Sequence, residues 1–115
     1  MINIFADFTA ERAGAAVYRQ GNAPQTLPDK FFTVRNYNTN DEVRADNAVK
    51  TVRWDWTIIY YTKDIADLYE AVESAKETLS DLGYEIDGVG YDYQGTYDEW
   101  FARAFDVTKI ETKEN

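Results

Sequence analysis

Residues 51–82 read TVRWDWTIIYYTKDIADLYEAVESAKETLSDL, and a change of period inside this stretch decides the fold. From Thr51 to Thr62, Val52, Trp54, Trp56, Ile58 and Tyr60 alternate with Arg53, Asp55, Thr57, Ile59 and Tyr61, which is the two-residue repeat of a strand. From Asp64 to Leu82 the spacing becomes three and four, through Ile65, Leu68, Tyr69, Val72, Ala75, Leu79 and Leu82, the stripe of an amphipathic helix. Asp64 is placed to cap that helix, with Asp67 three residues on as a capping-box-like partner, and Gly83 stands where a left-handed C-terminal residue belongs. One face of the strand is apolar throughout. The other turns apolar only at Ile59 and Tyr61, which predicts that this end is covered on both sides, by a helix or by a neighbouring subunit.

Outward from this centre, Phe31 to Tyr37 reads as a shorter strand, and the polar, turn-forming run Asn36 to Asn47 predicts a long hairpin loop. Tyr84 to Tyr93 has strand character interrupted by Gly88 and Gly90, which predicts a bulge or a sharp bend. Gln94, Gly95 and Thr96 then predict a turn, Tyr97 to Thr108 a last strand, and Lys109 to Asn115 a charged tail that frays. Before the first strand, Ile4 to Tyr18 is expected to be helical, and Asn22 to Lys30, with Pro24 and Pro28, a loop. The order α-β-β-α-β-β implies an α+β fold, an antiparallel sheet of about four strands with helices packed on it. With 115 residues and no stretch rich in Pro, Gly or Ser, one domain spanning 1–115 is expected.

Composition narrows the function. Asp and Glu number 21 against 12 Lys and Arg, a net charge of -9, which disfavours DNA phosphates and anionic membranes as ligands because both select basic patches. There is no Cys and no His, so disulfides, thiolate metal sites, the commonest general base and the usual activated thiol are all excluded. Ser74 and Ser80 are the only serines, both on the predicted helix and neither in a nucleophile elbow. No glycine-rich phosphate loop occurs, since Gly88-Val89-Gly90 lacks a third glycine and a following helix. The first residues lack the basic and apolar regions of a signal peptide and no run approaches the roughly 18 apolar residues of a membrane span, so a cytoplasmic product, or a particle assembled in cytoplasm, is expected. The expectation is a non-enzyme without cofactor or metal.

Four features could carry function. Glu111-Thr112-Lys113 matches half of a nuclease-like carboxylate site, with Asp29, far away in sequence, as a candidate partner; a solvated tail is the plainer reading. Asp87, Asp92, Asp98 and Glu99 do not have the spacing of a calcium loop and read as polar strand ends. Asp67, Glu70, Glu73, Glu77 and Asp81 form an acidic ridge opposite the helix's apolar stripe, with only Lys63 and Lys76 near enough in sequence to offset it. Like charges at these spacings cost a few tenths of a kcal/mol per pair. The ridge is a solvated face, or else a surface that repels nucleic acid or lines a channel through which DNA slides. The loop itself, with Tyr37, Asn38, Asn40, Asp41, Glu42, Arg44 and Asp46, is longer than a hairpin needs, as a partner-binding arm or a mobile hairpin end would be.

Three stretches together, Phe31-Phe32-Thr33-Val34, Asn40-Asp41-Glu42-Val43-Arg44-Ala45-Asp46-Asn47 and Trp56-Thr57-Ile58-Ile59-Tyr60-Tyr61-Thr62-Lys63-Asp64, resemble the small tail-terminator (tail-completion) proteins of siphophages and prophages. Leu82-Gly83-Tyr84-Glu85 and Tyr97 through Phe105 stand where that family has its closing aromatic hairpin. The likeness spans roughly residues 30 to 110 and rests on loose aromatic and acidic positions. The N-terminal segment departs from it, being less regular than the Leu-rich helix usual there. The resemblance implies a ring, typically of six copies, that caps the growing tail tube, stops its polymerisation and presents a surface to the head-tail connector, with DNA passing through the channel without specific binding, no membrane contact and no catalytic residues. A head-completion or neck connector protein is an alternative within the same setting. An acidic DNA mimic that inhibits a host defence protein is another, against which Arg35, Arg44, Lys50, Arg53 and Arg103 count, being interspersed among the acids.

Overall fold

The computed structural model describes residues 2–43, 49–94 and 97–114, with side chains for all of these except 41–43, 49–50 and 113–114. Two single-turn helices, α1 (Ile4–Asp7) and α2 (Ala10–Ala13), precede the strands β1 (Ala16–Arg19), β2 (Lys30–Val43) and β3 (Val49–Thr62). The long helix α3 (Ile65–Asp81) follows, then β4 (Glu85–Asp92) and β5 (Phe101–Glu114). All five strands join one sheet in the order β1-β2-β3-β5-β4. β1 runs parallel to β2, and every other neighbouring pair is antiparallel. The expected four-stranded antiparallel sheet with element order α-β-β-α-β-β is therefore corrected: the sheet is mixed, has a fifth strand, and dominates the molecule.

The fifth strand comes from the segment expected to be one helix. Ile4 and Phe8, four residues apart, are both buried, and Phe8 meets Phe32 edge-on with ring centroids 5.0 Å apart. Thr9 then restarts the chain as a new cap, its hydroxyl accepting from the Arg12 N–H at 3.4 Å. Gly14 ends that turn at φ 78, a left-handed conformation that glycine adopts without steric cost. Beyond it Val17 and Tyr18 favour extended backbone.

The predicted hairpin loop is also corrected. Register pairs run from Lys30 beside Thr62 to Val43 beside Lys50, with one irregularity between Asn36 and Asn38, so most of the Asn36 to Asn47 run is strand; residues 44–48 lie outside the described ones. The Asn36 side chain stitches the bulge, its amide donating to the carbonyls of Asn38 and Asp55, both at 2.9 Å, while its oxygen accepts from Thr39 at 2.9 Å. Nor does the chain fray after Thr108: β5 continues, pairing Lys109 with Trp54 and Glu114 with Val49. Residue 115 lies outside the described ones. Polar composition misleads at both places because backbone ladder bonds, not apolar period, hold these stretches.

α3 packs on one face of the sheet through Leu68, Val72, Ala75 and Leu79, against Phe32, Val34, Trp56, Ile58, Tyr60, Phe105 and Val107. On the opposite face Phe31, Ile59, Tyr61, Ala102 and Ala104 form a second cluster. Within the chain this face is covered not by a helix but by the segments around Leu27, Tyr93, Tyr97 and Trp100. At about 3.3 Å per residue a 14-residue strand is roughly 46 Å long, whereas the 17 residues of α3 span about 25 Å at 1.5 Å each. The helix therefore backs only about half of β3. The extents of 52 × 26 × 25 Å, and a radius of gyration of 15.5 Å against about 13 Å for a compact chain of this length, reflect that three-stranded extension.

Candidate functional site

The strand extension carries the first group of candidates. Tyr37 is the extra residue of the β2 bulge, and Asn38 pairs with Asp55. Asp55 is buried and holds this region together: its carboxylate accepts from the Thr108 hydroxyl at 2.5 Å, the Asn38 amide at 3.0 Å and Arg53 Nε at 3.1 Å. Burial disfavours its charge, yet these hydrogen bonds from Thr108, Asn38 and Arg53 outweigh that and hold the carboxyl below its ordinary range. The Thr108 hydroxyl also lies 3.0 Å from Asp87 Oδ2; it has one proton to give, and the shorter contact to Asp55 takes it. Asp106 adjoins, accepting from Thr57 at 2.8 Å. Burial, and then the carboxylates of Asp55, Asp106 and Asp87, push the Tyr37 hydroxyl above its usual pKa. Asp55 carried no flag in the sequence beyond its place among apolar strand residues.

The remaining loop candidates are placed unequally. Asn40, Asp41 and Glu42 continue β2 beside Arg53, Val52 and Thr51, whereas Arg44 and Asp46 lie outside the described residues. The outer edge of β2 is paired with β1 only from Phe31 to Val34, and that of β5 with β4 only from Arg103 to Thr108. Beyond those points, among the described residues, no strand stands beside either edge.

The acidic ridge occupies the outer surface of α3, on the far side of the sheet from Asp55. Glu70, Glu73, Glu77 and Asp81 are exposed. Asp67 turns inward instead, accepting a short hydrogen bond from the Tyr60 hydroxyl and lying 3.6 Å from Lys30 Nζ. It does not complete a capping box; Asp64 alone caps, accepting from the Ala66 N–H at 3.0 Å. Glu73 pairs with Lys76 at 3.0 Å. The helix has no basic residue in its last turn, and its C-terminal dipole is met from the sheet: Lys109 Nζ donates to the Leu82 carbonyl at 3.0 Å and sits 4.6 Å from the Tyr84 ring. The Tyr84 hydroxyl donates to Asp7 at 2.6 Å, tying α1 to the same corner.

A third feature was not legible beforehand. A cleft of about 610 Å³ opens between the N-terminal turns of α3 and the segment leading into β5. Tyr93, Tyr97 and Trp100 form its wall and Asp98 and Glu99 part of its rim. Ile65, Tyr69 and Phe101 stand at its mouth, 49%, 48% and 46% exposed. The available signal was Trp100 followed by Phe101, which puts large aromatics on both faces of a strand start.

The metal-site candidates do not assemble. Glu111 pairs across from Val52 in the strand extension, whereas Asp29 stands 3.9 Å from Lys63 at the other end of the sheet. Asp92 is held by Arg103 at 2.8 Å and accepts from Tyr69. Among the described residues no group of three carboxylates is arranged to hold a metal ion, and no helix is long and apolar enough to cross a membrane.

What the fold defines is a mixed β-sheet protein with a long amphipathic helix and a three-stranded extension that has, among the described residues, no strand beside either edge. Set against known proteins, the chain matches no family model and no curated protein sequence.

Proposed function

We propose that the chain is an assembly protein and not an enzyme: a tail terminator of a long-tailed phage, forming a ring that caps the tail tube and joins it to the head-neck connector. The observation that carries this reading is the three-stranded extension. Its strands outrun the helix that backs them, and its two outer edges have no strand beside them among the described residues. Unpaired edge groups of this kind are templates for pairing with another chain, and a different edge on each side suits head-to-tail contacts that close a ring. The resemblance of residues 30 to 110 to tail-completion proteins supplies the setting, the virion's tail end assembled in host cytoplasm. In that setting the exposed Glu70, Glu73, Glu77 and Asp81 face the channel and keep passing DNA from adhering.

Mass determination and negative-stain imaging of the purified protein, alone and mixed with tail-tube protein, test the proposal. Hexameric rings that stop tube elongation are the expected result. A strict monomer that neither self-associates nor binds tube ends overturns it. Rings that bind the portal side of the neck, and not the tube, would identify the head-completion alternative instead.

A further inference from the structure

We propose that the cleft between α3 and the segment leading into β5 binds a lysine- or arginine-bearing segment of a partner protein, seating the cationic side chain against the aromatic wall and within reach of the carboxylate rim. The cleft's volume of about 610 Å³ falls in the range of sites that take a small ligand or a few side chains. Its mouth leaves Ile65, Tyr69 and Phe101 about half exposed, apolar surface that an incoming aliphatic stem covers.

Charge decides what enters. Asp92, Asp98 and Glu99 line the cleft, and among the described residues the cations nearest it, Arg103 and Lys63, lie against its rings rather than in its lining. Asp92 is engaged by Arg103 and Tyr69, whereas Asp98 and Glu99 have no hydrogen-bond or ion-pair partner among the described residues. An anionic lipid or a nucleic acid is repelled by this rim and by the net charge of -9. The aromatic groups already draw cations from within the chain: Arg103 lies 5.1 Å from the Tyr69 ring centre and Lys63 4.5 Å from that of Trp100. The rings of Tyr93 and Tyr97, which line the same cleft, offer the same quadrupole attraction to a guanidinium or ammonium from outside. The Asp64 carboxylate covers the first-turn N–H of α3, so the helix's positive end does not oppose the cation.

The proposal stands apart from the phage reading, because it needs only a basic protein segment and no particular assembly. The test titrates the full chain, followed by NMR, with an acetylated and amidated Gly-Arg-Leu-Arg-Gly peptide and with its citrulline counterpart, which keeps the shape and removes the charge. Expected are shifts centred on Tyr69, Tyr97 and the Trp100 indole with the arginine peptide. Affinity is expected to fall by roughly tenfold with citrulline, and by a similar factor in an Asp98→Asn, Glu99→Gln variant, whose changes are exposed and leave the fold intact. A Glu70→Gln, Glu77→Gln variant on the helix ridge, which removes as much charge elsewhere, is expected to bind as the parent does. Absence of binding at millimolar peptide overturns the proposal. So does equal binding of the citrulline peptide, or equal loss in both charge variants, since the interaction would then lie elsewhere or be only the attraction of an acidic protein.

Discussion

Asp55 is a buried charge that ties the strand extension together, because it links β2, β3 and β5 through Asn38, Arg53 and Thr108. Asp55→Asn keeps the shape and removes the charge, so at neutral pH it should cost about 1–2 kcal/mol in urea unfolding. The sign with pH follows from the depressed carboxyl: a group held below its unfolded value near 3.9 contributes above that pH and loses its contribution as pH falls through the folded value. The gap between parent and variant should therefore close below about pH 4; a constant gap across that range would show that the charge is not what stabilises. The buried tyrosines work in the opposite direction. Burial pushes Tyr61 up to about 12, and burial together with hydrogen bonds to Asp67 and Asp7 raises Tyr60 and Tyr84 further. Stability tied to these neutral hydroxyls is present below pH 10 and is lost as pH rises through the folded values, starting across the window from 10 to 12 set by Tyr61. In an ultraviolet titration Tyr60, Tyr61 and Tyr84 should ionise well above the ordinary tyrosine range, together with loss of the fold. Ionisation of these three in the ordinary range with the fold intact would contradict this.

At the scale of elements, α3 and the centre of β3 were readable because each carries one clean period and a cap: Asp64 caps as expected, and Gly83 is left-handed at φ 94. The bulge expected at Gly88 and Gly90 is also present, as a register slip between Asp87 and Tyr91. Gly90 cannot be replaced there. Its φ is 91, and a Cβ would stand 2.8 Å from the Ala104 carbonyl oxygen. Gly90→Ala should cost about 2 kcal/mol or more in chemical unfolding, whereas a loss within a few tenths would show that β4 shifts freely. Illegible were the elements whose order comes from partners distant in sequence. β1 depends on lying beside Phe31 to Val34, and residues 109–114 on lying beside β3. Neither segment advertises this with alternating apolar residues. Of the candidate residues, Tyr37 and Asn38 could be named from loop length but not placed against Asp55, and the cleft was hidden because its aromatics read as core. Lys109 shows the cost of that blindness: it reads as part of a charged tail, yet it completes the C-terminal end of α3. Lys109→Met keeps an unbranched stem but removes the ammonium that donates to Leu82 and sits over the Tyr84 ring, and should lower stability by about 1 kcal/mol. A freely fraying tail would give no change.

For the whole molecule, the imbalance between strand length and helix length leads to a measurement that assembly alone can move. Core amides of β3 are paired on both sides, to β2 and to β5, so in a single copy they should exchange only with global opening. The outward amides of β2 beyond Val34 and of β5 beyond Thr108 have no strand beside them among the described residues and should exchange with little protection. In the proposed ring, contacts through these edges would convert the second class into the first. Hydrogen exchange on the purified protein, before and after assembly on tube ends, should show protection rising at residues 36–43 and 109–114 while the middle of β3 stays unchanged. Protection confined to the outer face of α3 would place the contact on the helix instead and end the case for the strand extension as the assembling element. The two outcomes also separate the roles given to the two surfaces: a helix that lines a channel stays exposed to water in the ring, so its side chains remain open to labelling while the strand edges close.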